Sequence, residues 1–176
     1  MKQLGKTEGD IDCIADNEEK YISFSKKVVV DKFTDEKGAE KDVTRELRFL
    51  DSFRFMPSSL DKLSKNLQRD QFINLKKYFR DEKKFDLVRR KGVFPYDYVD
   101  SLEKLKEEKL PPKETFYSRL DDENISDEYY NHAQMARKEF GMSTFRDYLE
   151  LYNKSDVLIL AEIFENLETF VRAIMI

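Results

Sequence analysis

The chain has 176 residues and a mass of 21.1 kDa, which suits one domain with a buried core. Its hydrophobic content of 40% excludes a disordered chain, although the charged share of 39% is well above the usual ~25%. No apolar run reaches the ~18 residues of a membrane span, Met1–Gly5 has no apolar signal core, and a single cysteine (Cys13) with a single histidine (His132) excludes an internal disulfide, a cysteine-rich zinc site and a His-rich metal centre.

In chain order, Tyr21-Ile22-Ser23-Phe24-Ser25 alternates large and small polar residues and runs into Val28-Val29-Val30, a strand pattern. A polar stretch from Asp31 to Asp42 follows. Alternation returns in Leu47–Phe55, so two antiparallel strands joined by a polar loop are expected. Ser59 caps a helix carrying Leu60, Leu63 and Leu67, and Phe72, Leu75 and Phe79 mark another. Gly92 and Pro95 break the pattern, leaving Lys91–Tyr98 as an aromatic loop. Ser101–Glu108 reads as a short charged helix that Pro111-Pro112 ends. Ser126-Asp127-Glu128 opens the next helix, with acids where its dipole favours them, and Gly141 closes it. The longest helix starts near Ser143-Thr144. Strands first and helices after give α+β, or the tail of an α/β domain.

The net charge of −4 hides a segregation. Residues 62–91 carry 11 Lys and Arg against 4 Asp and Glu, a balance of +7, in an otherwise acidic chain. Such a band is either a solvated helix face or a strip that faces phosphates and releases their counterions. Phe72, Tyr78, Phe79 and Phe85 are interleaved in it as candidate stacking rings.

Tyr152 and Asp156 share a face of the last helix, four residues apart, among Leu149, Leu151 and Val157–Leu160. They are either a surface aspartate beside a tyrosine or a carboxylate metal ligand with a phenol that orients a water. Magnesium takes hard oxygen ligands of this kind, often one or two from the protein. Two-metal phosphodiester hydrolysis needs several convergent carboxylates, and the set here is incomplete. Asp10 and Asp12 follow a polar stretch and no strand, which argues against a metal pair. Lys91 is either exposed or a phosphate neutraliser. His132 reads as a packed or surface residue, and Cys13 as a small buried apolar group. No G-x-x-x-x-G-K-[ST], G-x-G-x-x-G or G-x-S-x-G occurs.

Phe49–Leu63, Lys91-Gly92-Val93-Phe94-Pro95-Tyr96-Asp97-Tyr98, Leu110–Glu114, Tyr129–Ala133 and Tyr152-Asn153-Lys154-Ser155-Asp156 together resemble the protein-primed family B DNA polymerases of viruses, linear organellar plasmids and Maverick/Polinton-type elements. The resemblance implies residues 1–176 of a 3′–5′ proofreading exonuclease domain with an RNase H-like α/β fold. Tyr152-x-x-x-Asp156 matches that domain's third motif, implying Asp156 as a metal ligand and Tyr152 as orienter of the attacking water. Ser52-Phe53-x-x-Met56 falls where the family holds the primer end, with Phe53 replacing a leucine. Lys91-x-x-Phe94 falls where a lysine assists the catalytic centre.

The first motif, Asp-x-Glu on a strand, and the second, Asn-x-x-(Phe/Tyr)-Asp, are absent, and Met1–Gly5 resembles the segment just downstream of the second. Palm, fingers and thumb are absent too. The resemblance therefore implies a fragment, the C-terminal part of an incomplete exonuclease fold, from a truncated gene or a degraded mobile element. Its magnesium site would be incomplete, and the piece inactive alone. Single-stranded or primer-template DNA is the implied partner. Deoxynucleotides and terminal protein would belong only to the full-length parent. No membrane is implied, and an intracellular setting is expected, whether nuclear, mitochondrial or viral-factory. Lys76, Lys77, Lys83 and Lys84 are the expected DNA contacts of the basic band. The alternative is a non-catalytic module that binds nucleic acid or protein through residues 62–91.

Overall fold

A computed structural model describes residues 9–15, 17, 21–54, 56–119 and 122–174. The Met1–Gly5 segment and Phe55 lie outside the described residues. The chain divides into two units, Met1–Ser58 and Ser59–Ile176. Mixed α/β content with strands first and helices after is as expected.

The first unit is a three-stranded antiparallel sheet in the order β1 (Ile11–Ala15), β2 (Tyr21–Thr34), β3 (Glu40–Leu50). The hairpin is longer than the alternation suggests. Charged residues from Asp31 to Asp42 pair in register, Lys32 opposite Asp42 and Thr34 opposite Glu40, because exposed strands accept polar side chains on both faces. The loop shrinks to residues 35–39. Asp35 Oδ1 accepts from the backbone N–H of Lys37 and Ala39 at 2.9 and 3.0 Å, and Gly38 supplies the left-handed φ of 79° that the turn requires. Lys41, 2.9 Å from Asp35, holds the Asp35 carboxyl below its usual range, with the backbone N–H groups adding to the effect. The stacked pair Phe24–Phe49, 4.5 Å between centroids, pins the register.

Four sequence expectations are corrected here. Asp12 does lie in a strand, β1, which pairs with β2 from Ile11 opposite Lys26 onward. Cys13 is exposed rather than buried, since β1 is an edge strand with all five residues open to solvent. The strand expected to reach Phe55 stops at Leu50, and Ser52–Arg54 forms a 3-10 turn tied by Asp51 Oδ1 to the Phe53 N–H at 3.0 Å. Leu67 falls outside its helix.

The second unit is helical: α1 (Leu60–Lys65), α2 (Ile73–Tyr78), α3 (Glu82–Val88), α4 (Asp127–Glu139) and α5 (Phe145–Ile174). Ser59 caps α1 and Ser126 caps α4, each accepting from the third helical N–H. The basic band breaks into two helices because Asp81 caps a new one through the Lys84 N–H at 3.0 Å. Residues 102–106 form a 3-10 turn where an α-helix was expected. Gly141, φ 61°, closes α4. Asp147 Oδ2 accepts from Ser143 and Thr144 N–H at 2.9 and 2.8 Å and starts α5. These backbone donors, Thr144's first, hold the Asp147 carboxyl below its usual range.

With 30 residues, about 45 Å long at 1.5 Å per residue, α5 is the spine of this unit. Leu110, Ala133, Met142, Phe145 and Tyr148 form a core that Phe94, Tyr98, Val99 and Leu151 cover. Farther along, α5 carries Glu162, fully buried, whose Oε1 accepts the Leu75 N–H at 2.6 Å and so caps the start of α2. Asn166 exchanges hydrogen bonds with the Gln71 side chain and carbonyl at 2.8 and 3.2 Å. Glu162→Ala would leave a buried N–H unpaired and open a cavity, so it is expected to cost about 3 kcal/mol, read as a lowered urea midpoint. Glu162→Gln keeps an acceptor and should cost less. An unchanged midpoint in the alanine variant would show that the cap is dispensable.

Candidate functional site

Lys91 follows the end of α3, and Tyr152 and Asp156 stand one turn apart on α5. They are separated by about sixty positions of chain, yet they meet. Lys91 Nζ donates to the Tyr152 hydroxyl and to Asp156 Oδ2, the latter at 2.5 Å. The same ammonium sits 4.0 Å from the Tyr152 ring centroid, where a cation gains from the ring face. Tyr96 places its hydroxyl 2.7 Å from that of Tyr152, and the Phe94 ring lies 5.2 Å from the Tyr152 ring. Gly92 lets the loop run along this ring. A Cβ there would stand 3.5 Å from it, already in van der Waals contact.

Tyr152 is buried, with a relative exposure of 6%. Burial pushes its phenol far above the ordinary value, and the Tyr96 hydrogen bond and the Asp156 charge push the same way. Tyr148, whose hydroxyl donates to the Val93 carbonyl at 2.7 Å, is also raised by burial first and Asp156 second. Both phenols keep their protons at neutral pH. Lys91 and Asp156 retain about a fifth of their side-chain surface.

Asp156 Oδ1 is shut from solvent and has no hydrogen-bond partner among the described residues. An orphaned carboxylate oxygen is costly unless something outside the protein uses it. A carboxylate is the kind of hard oxygen donor that magnesium accepts, but among the described residues no group of three or more His, Cys, Asp or Glu side chains is placed to hold a metal ion, and a single carboxylate does not hold two.

The other candidates are placed as follows. Ser52 and Phe53 lie in the first unit, on the 3-10 turn, with Phe53 61% exposed. Lys76 pairs with Glu82 at 3.3 Å, and Lys84 lies over the Phe140 ring at 5.4 Å. Lys77 and Lys83 are exposed and make no ion pair among the described residues. Phe72, Phe79 and Phe85 are core residues, which corrects their reading as stacking rings. The helical period of the band turns them inward, and only Tyr78 stays exposed. Asp10 and Asp12 are exposed and join no metal cluster.

Sequence reasoning missed Tyr96 and the orphaned Asp156 oxygen. Tyr96 was legible only as part of an aromatic loop, because a contact across 56 positions leaves no local period. Among the described residues no helix is long and apolar enough to cross a membrane.

In this mixed α/β chain a lysine, a buried tyrosine and an aspartate thus converge on one stretch of a long helix. The chain matches the family model for DNA polymerase type B, organellar and viral, over residues 6–176 and belongs to that family. No curated protein and no solved structure matches it.

His132 packs as the sequence suggested, its Nε2–H donating to the Leu87 carbonyl at 2.9 Å. Burial first, and the Arg90 charge second, lower its pKa. The unfolded chain therefore takes up a proton near pH ~6.5 that the folded chain refuses. Stability is complete above that pH and falls as pH drops through it. His132→Gln should flatten the fall in urea midpoint between pH 7.5 and 5.5, and an equal fall in both proteins would assign it elsewhere.

Proposed function

We propose that the chain is part of the 3′–5′ proofreading exonuclease domain of a protein-primed type B DNA polymerase, with an RNase H-like fold. It would act on single-stranded or primer-template DNA. The observation that carries this reading is the convergence of Lys91, Tyr152 and Asp156, with one aspartate oxygen engaged by Lys91 and the other buried without a partner among the described residues. Family membership supplies DNA as the substrate class. Deoxynucleotides and terminal protein would belong to the whole polymerase.

In this reading Asp156 would be the residue that holds magnesium. The ion, when bound, stabilises charge on the attacking and leaving oxygens of the phosphodiester. Lys91 fixes the Asp156 carboxylate and the Tyr152 hydroxyl in one arrangement and supplies positive charge beside the scissile phosphate. Tyr152, accepting from Lys91, keeps its own proton to donate to a water or to Tyr96. Ser52 and Phe53 would hold the primer end.

One carboxylate does not hold two ions, so the isolated chain is expected to show no hydrolysis. Coding DNA upstream of the Met1 codon is expected to supply an in-frame Asp-x-Glu and Asn-x-x-(Phe/Tyr)-Asp. The polypeptide extended to include them should degrade single-stranded DNA with magnesium, and Asp156→Ala should abolish that activity. Stop codons in every upstream frame, or magnesium-dependent degradation by the isolated chain that Asp156→Ala removes, would sink the respective statements.

The second reading, a non-catalytic module, has one observation in its favour: Lys62, Lys77, Arg80 and Lys83 are exposed and make no ion pair among the described residues. They stand ready for phosphates. Reversing Lys76, Lys77, Lys83 and Lys84 to Glu should weaken oligothymidine binding at low salt regardless of sequence. The reversals of Lys77 and Lys83 should dominate, each lost contact lowering the slope of log affinity against log salt by about 0.7. Fluorescence anisotropy without magnesium reads this directly. No binding by the folded wild-type chain would leave the band as a solvated surface.

A further inference from the structure

Beside the Lys91–Tyr152–Asp156 site lies a second feature that the exonuclease reading does not use. A cleft of about 570 Å³ is lined by Phe94, Tyr96, Asp97, Phe116, Tyr117, Ser118 and Arg119. Its volume falls within the about 300–1,000 Å³ of small-ligand pockets. It shares a wall with the site, because Phe94 and Tyr96 are the residues that touch Tyr152. A ligand in the cleft is thus a neighbour of whatever Asp156 engages.

The lining has two chemistries. Four of the seven residues are aromatic. Phe116 is a fixed floor, 3% exposed, with Tyr130 edge-on at 5.7 Å. The Tyr117 ring is tethered by a hydrogen bond from its hydroxyl to Asp122. Arg119 is the cation of the cleft, with 79% of its side chain open to solvent, and among the described residues its one ion pair is a loose 3.6 Å contact to Asp97. A pair this exposed and long contributes little, so Arg119 is available to trade the carboxylate for a phosphate, which its planar fork grips in two places. A flat π-face beside a phosphate is what a nucleotide presents, and stacking on aromatic rings accepts any base.

We propose that this cleft binds one unpaired nucleotide of the DNA strand whose end lies at Asp156, its base stacked on Tyr117 and its phosphate held by Arg119. The proposal rests on the exonuclease reading for the direction of the strand. It adds a second subsite on the 113–119 segment that would keep the melted end from sliding back.

The test uses the full chain and twelve-nucleotide oligothymidines carrying 2-aminopurine at each of the four nucleotides nearest the 3′ end, without divalent cations. Binding is expected to quench emission most strongly at one position. Tyr117→Ala should weaken binding about five- to 150-fold, the range of one lost stack, and restore the emission. Tyr117→Phe keeps the ring and should keep both, which separates a lost stack from a lost fold. Arg119→Ala should lower the salt slope by about 0.7 while leaving the quench in place. A strand that binds with the same affinity and emission in Tyr117→Ala and Arg119→Ala overturns the cleft and leaves the exonuclease reading standing. An extended polypeptide that is inactive, with the Tyr117-dependent quench intact, overturns the exonuclease reading and leaves the cleft. A folded wild-type chain that binds no strand overturns the cleft.

Discussion

The ammonium of Lys91 sits between a carboxylate and a phenol of α5, and the geometry of the site follows from that placement. Its contacts to Tyr152 and Asp156 hold two side chains that would otherwise take separate rotamers, and they tie the 91–98 loop to the helix. Once the loop is tied, Phe94 packs against Tyr152 and Phe145, Tyr96 reaches the Tyr152 hydroxyl, and Val93 offers its carbonyl to Tyr148. Each of these depends on the loop lying flat along the α5 surface, with Gly92 next to the Tyr152 ring. The ion pair is partly screened, but its partners are also hydrogen-bonded and stacked, and that separates it from the many exposed pairs of this charged chain.

The stiffness of α5 makes this possible. Its first turn is capped by Asp147, its middle carries the site, and its later turns receive Glu162 and Asn166, which dock α2 through buried polar bonds. A buried carboxylate that meets a helix N-terminus is stabilised by the donors it satisfies. The same residue would be a liability if α2 moved away. Polar docking of this kind specifies register where a purely apolar contact would tolerate sliding.

The basic band shows how charge and packing divide one segment. The rings at positions 72, 79 and 85 point inward and the cations outward, as the helical period requires. Its acids are not idle: Glu82 and Asp86 both bind Arg69, and Glu82 also binds Lys76, while Glu128 takes Arg90. Acids outside the band offset part of the +7, Asp61 at Lys65, Glu128 at Arg90 and Asp156 at Lys91, and Lys62, Lys77, Arg80 and Lys83, without an ion pair among the described residues, are what a polyanion would meet.

Local patterns determined the order of elements, the serine caps at Ser59 and Ser126, the glycine stop at Gly141, and the one-turn spacing of Tyr152 and Asp156. These depend on residues within a few positions of one another, so a linear reading contains them. It misjudged β1, the length of the hairpin and the exposure of Cys13, because strand pairing is non-local and an open sheet tolerates polar residues on both faces. Only the tertiary structure decided that Lys91 reaches Tyr152 and Asp156, that one Asp156 oxygen is left without a partner among the described residues, that Glu162 is buried, and that Tyr96 faces both the site and an aromatic cleft. Those facts depend on which surfaces meet when the 91–98 loop packs on α5, and no periodicity in the chain encodes a distance between residues some sixty positions apart.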